Sequence, residues 1–133
     1  MAATVLDSYA LLAYLRDEPG ADKVQAIFEK AEKKGNSVLM TEVSYAETKD
    51  IVLRKDGGKA WAVVCSALES LPLEFVPTTK ALADIAADFK ANHHLSLADA
   101  FAAALAKERR GELVAGSIEV KMISEGIKIN WLL

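Results

Sequence analysis

Short apolar runs, each followed by one or two stretches of helical periodicity, constrain this chain more than any other feature. Ala3-Thr4-Val5-Leu6-Asp7 is the first, a β-prone run ending in a carboxylate, and Tyr9 to Leu15 follows it as a short helix with apolar residues at Leu11, Leu12 and Leu15. Asp17-Glu18-Pro19-Gly20 breaks that pattern. Val24, Ile27, Phe28 and Ala31 then recur at i, i+3, i+4 and i+7, the stripe of an amphipathic helix that Gly35-Asn36 ends. Ser37-Val38-Leu39-Met40 is a second short strand, and Thr41 reads as the N-cap of a third helix running to about Asp56, where Gly57-Gly58 stops it.

The same grammar continues to the end of the sequence. A fourth helix carries Trp61, Val64, Cys65 and Leu68 on one face, and Leu73-Glu74-Phe75-Val76 before Pro77 reads as a third strand. Thr79 caps a helix with the stripe Leu82, Ile85, Ala86 and Phe89. Asn92-His93-His94 turns the chain into an alanine-rich helix from Leu97 to Arg110, closed by Gly111. Leu113-Val114-Ala115 is a fourth strand, residues 117–124 match no one pattern, and Ile127-Lys128-Ile129-Asn130-Trp131 alternates like a fifth strand near a sheet edge. Strands joined by helical crossovers predict a mainly parallel sheet of about five strands covered on both faces, a three-layer α/β/α arrangement. With 133 residues, 52% of them hydrophobic, the chain is expected to form a single domain over residues 1–133.

Composition narrows the function classes. No apolar run approaches the roughly 20 residues needed to cross a bilayer, and Met1 to Asp7 lacks the basic and apolar regions of a secretory signal, so a cytoplasmic protein is expected. The single cysteine, Cys65, cannot form an intramolecular disulfide and is read as a small core residue. A net charge of -3 does not advertise a polyanion partner. Nucleic-acid binding would then rest on local basic patches, of which Lys49, Arg54, Lys55 and Lys59 form one and Lys107, Arg109 and Arg110 another; solvated helix faces are the alternative reading. No glycine-rich phosphate loop, serine nucleophile elbow or Cys/His metal spacing is present. A receiver domain would need an aspartate after the third strand, where Val76-Pro77-Thr78 stands, and a phosphatase built on Asp7 would need a second aspartate where Tyr9 stands.

Acidic residues in awkward places remain. Asp7 ends the first strand, where it can cap the following helix. Glu47 falls on the inner arc of the third helix between Val43 and Ile51, with an ion pair to Arg54 as the competing explanation. Asp99 stands three residues after Ser96, matching a capping box. If these three acids converge, two like charges about 5 Å apart repel by roughly 3 kcal/mol at an effective dielectric of 20, and a cation is needed. Carboxylate and hydroxyl oxygens suit Mg²⁺ or Mn²⁺, ions that promote phosphodiester cleavage by activating water and neutralising developing charge.

Taken together, Val5-Leu6-Asp7-Ser8 with Leu11-Leu12-Ala13, Val43-Ser44-Tyr45-Ala46-Glu47, and Leu95-Ser96-Leu97-Ala98-Asp99-Ala100 resemble the acidic elements of the PIN-domain family, the fold of VapC-type toxin ribonucleases. The likeness spans nearly the whole chain and includes the final Gly126-Ile127-Lys128-Ile129 run. It implies that Asp7, Glu47 and Asp99 are catalytic and metal-site acids, that Ser8 supports the first of them, and that RNA is the substrate. It further implies a small antitoxin partner and a homodimer. Lys49, Arg54, Lys55, Arg109 and Arg110 would then contact the RNA backbone. Family members commonly read Thr-Gly-Asp after the fourth strand, whereas this chain reads Ala115-Gly116-Ser117. The resemblance therefore assigns Ser117, with Glu119 as a substitute acid, to the metal site and leaves two readings open: a metal-dependent endoribonuclease, the toxin of a toxin–antitoxin pair, whose activity the missing acid can reduce, or a weak or inactive RNA- or antitoxin-binding module.

Overall fold

Each apolar run forms a strand and each periodic stretch a helix. The computed structural model describes residues 3–116 and 127–132. Their order is β1 (Thr4–Leu6), α1 (Ser8–Leu15), α2 (Ala21–Lys34), β2 (Val38–Thr41), α3 (Glu42–Asp56), α4 (Gly58–Glu69), β3 (Leu73–Val76), α5 (Lys80–Asn92), α6 (Leu97–Glu108), β4 (Glu112–Ala115) and β5 (Lys128–Trp131). Side-chain caps start the helices where the sequence places them. Thr41 Oγ1 accepts the Ser44 N–H at 2.9 Å, Thr79 Oγ1 that of Leu82 at 3.1 Å, and Ser96 Oγ that of Asp99 at 3.1 Å. The unassigned residues 117–124 lie outside the described residues.

The strands lie in the order β3-β2-β1-β4-β5, and every neighbouring pair is parallel. Alternate residues of each strand feed two cores. Val5, Leu39, Val76, Leu113 and Ala115 pack with Leu82, Phe89 and Leu105 of α5 and α6, while Leu6, Val38, Met40 and Val114 pack with Leu11, Val24, Phe28 and Leu68 of α1, α2 and α4. Three layers result, as the alternation of elements predicts. Trp61 is buried in the second core, while Cys65 and Trp131 are half-buried, the cysteine packing against the edge of that core.

Two features of this arrangement position the functional residues. The chain steps outward from β1 to β2 and β3, then returns to place β4 on the other side of β1. That reversal opens a crevice beyond the carboxyl ends of β1 and β4, the usual binding position in an open parallel sheet. Helix α6 is buried on all sides from Ala98 to Ala106, packed against α5, α3 and the sheet. Its run of alanines follows from that enclosure, because larger side chains would not fit a space already filled to near-crystalline density. Helix α3 touches both α1 and α6, so it bridges the two helical layers. Among the described residues, no helix is long and apolar enough to cross a membrane.

Gly111 joins α6 to β4 where the backbone has no room to spare. A Cβ there would lie 2.2 Å from the Ala3 carbonyl oxygen, the same oxygen that accepts the Glu112 N–H at 2.9 Å. Gly111→Ala should therefore force β1 and β4 apart at their first bond and lower stability in urea denaturation by about 1–3 kcal/mol. Gly58→Ala, whose Cβ would meet nothing within 4 Å, should leave stability unchanged or slightly raised.

Candidate active site

The carboxyl end of β1 delivers Asp7 directly into the crevice. Its backbone continues the β1–β4 ladder, with the N–H donating to the Val114 carbonyl at 3.2 Å. Its side chain then caps α1, Oδ1 accepting the Ala10 N–H at 2.7 Å. The other oxygen, Oδ2, is buried and makes no hydrogen bond of normal geometry among the described residues, although the Gly116 N–H lies near enough to favour the carboxylate's charge. Asp7 is 1% exposed, so an acceptor built to hold charge is withdrawn from water and half satisfied.

Two more acids face it. Asp99 is buried in the first turn of α6, and Glu47 is half-buried in the second turn of α3. Burial is the main reason the Asp7 carboxyl is pushed up to about 7, and the charges of Asp99 and then Glu47 raise it further. The N–H groups of Ala10 and Gly116 act the other way and favour the charge. The helix ends help as well, since the amino termini of α1 and α6 direct partial positive charge towards Asp7 and Asp99. Ser8, buried beside Asp7, donates its hydroxyl hydrogen bond to Glu47 Oε1. The Ser8–Glu47 bond thus ties α3 to the end of β1.

The ion pair between Glu47 and Arg54 that competes for this carboxylate is not formed. Arg54 instead grips Asp50, Nε to Oδ1 at 3.0 Å and Nη2 to Oδ2 at 2.9 Å, and holds the Asp50 carboxyl below its ordinary range. The reason is helical spacing: Asp50 is one turn from Arg54, whereas Glu47 is two turns away, about 10 Å along the axis.

Asp7, Asp99 and Glu47 share one electrostatic neighbourhood. Among the described residues, however, no three acidic, histidine or cysteine side chains stand close enough to form a ready-made cation cage. Glu47 is engaged by Ser8, and Ser117 and Glu119 lie outside the described residues. The observation that fits a hard divalent cation is Asp7 Oδ2, a buried and unpartnered oxygen beside a second buried carboxylate.

Several basic residues named from the sequence are engaged by other side chains or stand at the far end of a helix. Lys49 lies over the Trp61 ring at 5.6 Å, Lys55 and Lys59 are exposed on α3 and α4, and Lys107 lies over Phe89 at 5.4 Å. Arg109, 4.0 Å from Glu108, and Arg110 follow the far end of α6, about 15 Å from Asp99 by helical rise. His93 and His94 line a shallow cleft of about 340 Å³ with Lys90, Leu95 and Ser96, just before α6. Sequence reasoning missed Tyr9, which lies against Gly116 at the end of β4. The available signal was a tyrosine directly after the Asp-Ser pair, outside the Leu11, Leu12 and Leu15 stripe.

A five-stranded parallel sheet, with acids from a strand end and two helices gathered at its switch point, defines an α/β protein with an acidic crevice between β1 and β4. The chain belongs to the PIN-domain family, whose model matches residues 4–116. No curated protein matches it significantly. Among solved structures it is similar to DNA-bound VapBC from Salmonella typhimurium, with 15% identity, full coverage of both chains and a TM-score of 0.79. It is also similar to FitAcB from Neisseria gonorrhoeae, with 20% identity, 96% of each chain covered and a TM-score of 0.71. A third is VapC20 of Mycobacterium tuberculosis, a toxin that cleaves the sarcin-ricin loop, with 17% identity, 90% of this chain and 94% of that one covered, and a TM-score of 0.64.

The raised Asp7 carboxyl sets a pH dependence. The folded state binds a proton more tightly than the unfolded state, so the associated stability is present below about pH 4 and is lost as pH rises through about 7. Urea denaturation of metal-free protein should show a decline on the order of 4 kcal/mol across that window, and Asp7→Asn should remove most of the slope. Parallel pH profiles for the two proteins would contradict the assignment.

Proposed function

We propose that this chain is a divalent-metal-dependent endoribonuclease, the toxin of a toxin–antitoxin pair, acting as a single PIN domain over residues 1–133. The carrying observation is Asp7, buried against Asp99 and Glu47 with one oxygen left without a partner. Membership of the PIN-domain family supports nuclease chemistry. Similarity to VapBC complexes and to a toxin that cleaves the sarcin-ricin loop supports the RNA substrate and a small antitoxin partner.

In this reading, Asp7 and Asp99 hold Mg²⁺ or Mn²⁺, which when bound supplies activation of water and neutralisation of charge at the scissile phosphate. Asp7 is fixed by its cap to α1 and Asp99 by the buried helix that carries it, so neither needs to reorganise to receive a substrate. Ser8 orients Glu47, the third acid. Ser117 and Glu119, which follow β4 in the sequence, are the further donors this reading assigns. Lys49, Arg54, Lys55, Arg109 and Arg110 contact RNA phosphates, Arg109 and Arg110 away from the cleaved bond, given their distance along α6 from Asp99. The protein works in the cytoplasm, and a homodimer brings two such crevices together.

Purified protein should cleave RNA with added Mg²⁺ or Mn²⁺ and stop in EDTA. Asp7→Asn and Asp99→Asn should each lower the rate at least about 100-fold with the circular dichroism spectrum retained. Unchanged rates in both variants would refute the site. The second reading, a binding module without chemistry, draws on Ser117 standing where the family has an acid and on Glu47 being engaged by Ser8. Ser117→Asp separates the two: faster cleavage marks a nuclease short of one ligand, and RNA binding with no cleavage in either form marks the module.

A further inference from the structure

Tyr9 stands at the mouth of the acidic crevice and is the exposed aromatic ring among the described residues, at 41%. The other candidates for contacting a base are occupied. Trp61 is buried against Tyr45 and beneath Lys49, Tyr14 packs on Phe28, and Tyr45 also packs on Phe75. Tyr9 lies in the first turn of α1, two residues after Asp7, while its neighbours Ala10 to Ala13 are buried. Its ring rests against Gly116 at the carboxyl end of β4. A Cβ on Gly116 would fall 2.0 Å from Tyr9 Cδ1 and 2.2 Å from Cε1, so the glycine is what lets the ring sit there. One side of the ring is thus braced by the strand end that borders Asp7, and the remainder faces solvent.

We propose that Tyr9 is a substrate-binding residue that stacks an unpaired base of the RNA, seating the nucleotide next to the bond held at Asp7 and Asp99. The inference rests on the ribonuclease reading and adds how the substrate is gripped. Arg109 stands at the end of α6 opposite Asp99 and Arg54 is paired with Asp50, and base stacking is a source of affinity that needs no positive charge. Because every base has a π-face, such a contact favours single-stranded RNA with little preference for sequence. The phenol hydroxyl is not required for it.

The test compares binding of a fluorescein-labelled single-stranded oligoadenylate of about 12 nucleotides with binding of an abasic oligomer of the same length and charge, by anisotropy in Ca²⁺ with intactness checked on a gel. Tyr9→Ala and Tyr9→Leu should each weaken oligoadenylate binding about 10-fold, Tyr9→Phe should stay within about two-fold of the parent chain, and the abasic oligomer should bind all four proteins alike. Leucine keeps the packing against Gly116 but offers no aromatic face, so recovery of affinity in Tyr9→Leu would reduce Tyr9 to a structural role and overturn the proposal. Equal affinity of Tyr9→Ala and the parent for oligoadenylate, or an equal loss on the abasic oligomer, would also overturn it. If cleavage proceeds normally in those cases, the nuclease reading stands alone. If the parent neither binds nor cleaves RNA, both fall together.

Discussion

Burying a carboxylate at the end of a central strand is unfavourable unless something else in the structure requires it, and the rest of this fold is arranged around Asp7. One oxygen starts α1 and the backbone extends the β1–β4 ladder, so the residue is anchored by local structure. The second oxygen is buried near two further acids. A protein selected for stability alone would place an asparagine or serine there, since either caps a helix without burying charge. The arrangement is intelligible as a site that trades stability in the metal-free state for readiness to receive a cation.

Topology brings the other acids to the same place. With β1 central and the chain reversing direction between β3 and β4, the carboxyl ends of β1 and β4 border an open crevice. The alanine run of α6 allows that helix to sit deep between α5, α3 and the sheet, carrying Asp99 into the buried neighbourhood of Asp7. Helix α3 spans both helical layers, which is why Glu47 reaches Ser8 at the start of α1. The three acids come from segments 40 and 52 residues apart in sequence, and only the sheet order unites them.

Much of this was legible from residues alone, for local reasons. Thr41, Thr79 and Ser96 mark helix starts because a side-chain oxygen before an amphipathic stripe has one obvious use, and each makes that bond. The five strands and the PIN-domain family were likewise readable from short β-prone runs and from the wording around Asp7, Glu47 and Asp99. What the sequence could not decide depends on partners far away. Whether Glu47 would meet Arg54 or Ser8 turned on the spacing of Asp50 and on the placement of α1 against α3. The exposure of Tyr9 turned on a glycine more than 100 residues later, and the half-burial of Cys65 on how α4 packs against α3.

Whether Asp7 and Asp99 form a cation site is tested most directly by anomalous diffraction from a crystal grown at pH 8 and soaked in Mn²⁺. The account predicts a strong anomalous peak against the Asp7 carboxylate, shared with Asp99 and absent from crystals of Asp7→Asn. Saturating Mn²⁺ with no peak in the crevice, or a peak bound elsewhere while Asp7 Oδ2 takes a hydrogen bond from the protein, would contradict it.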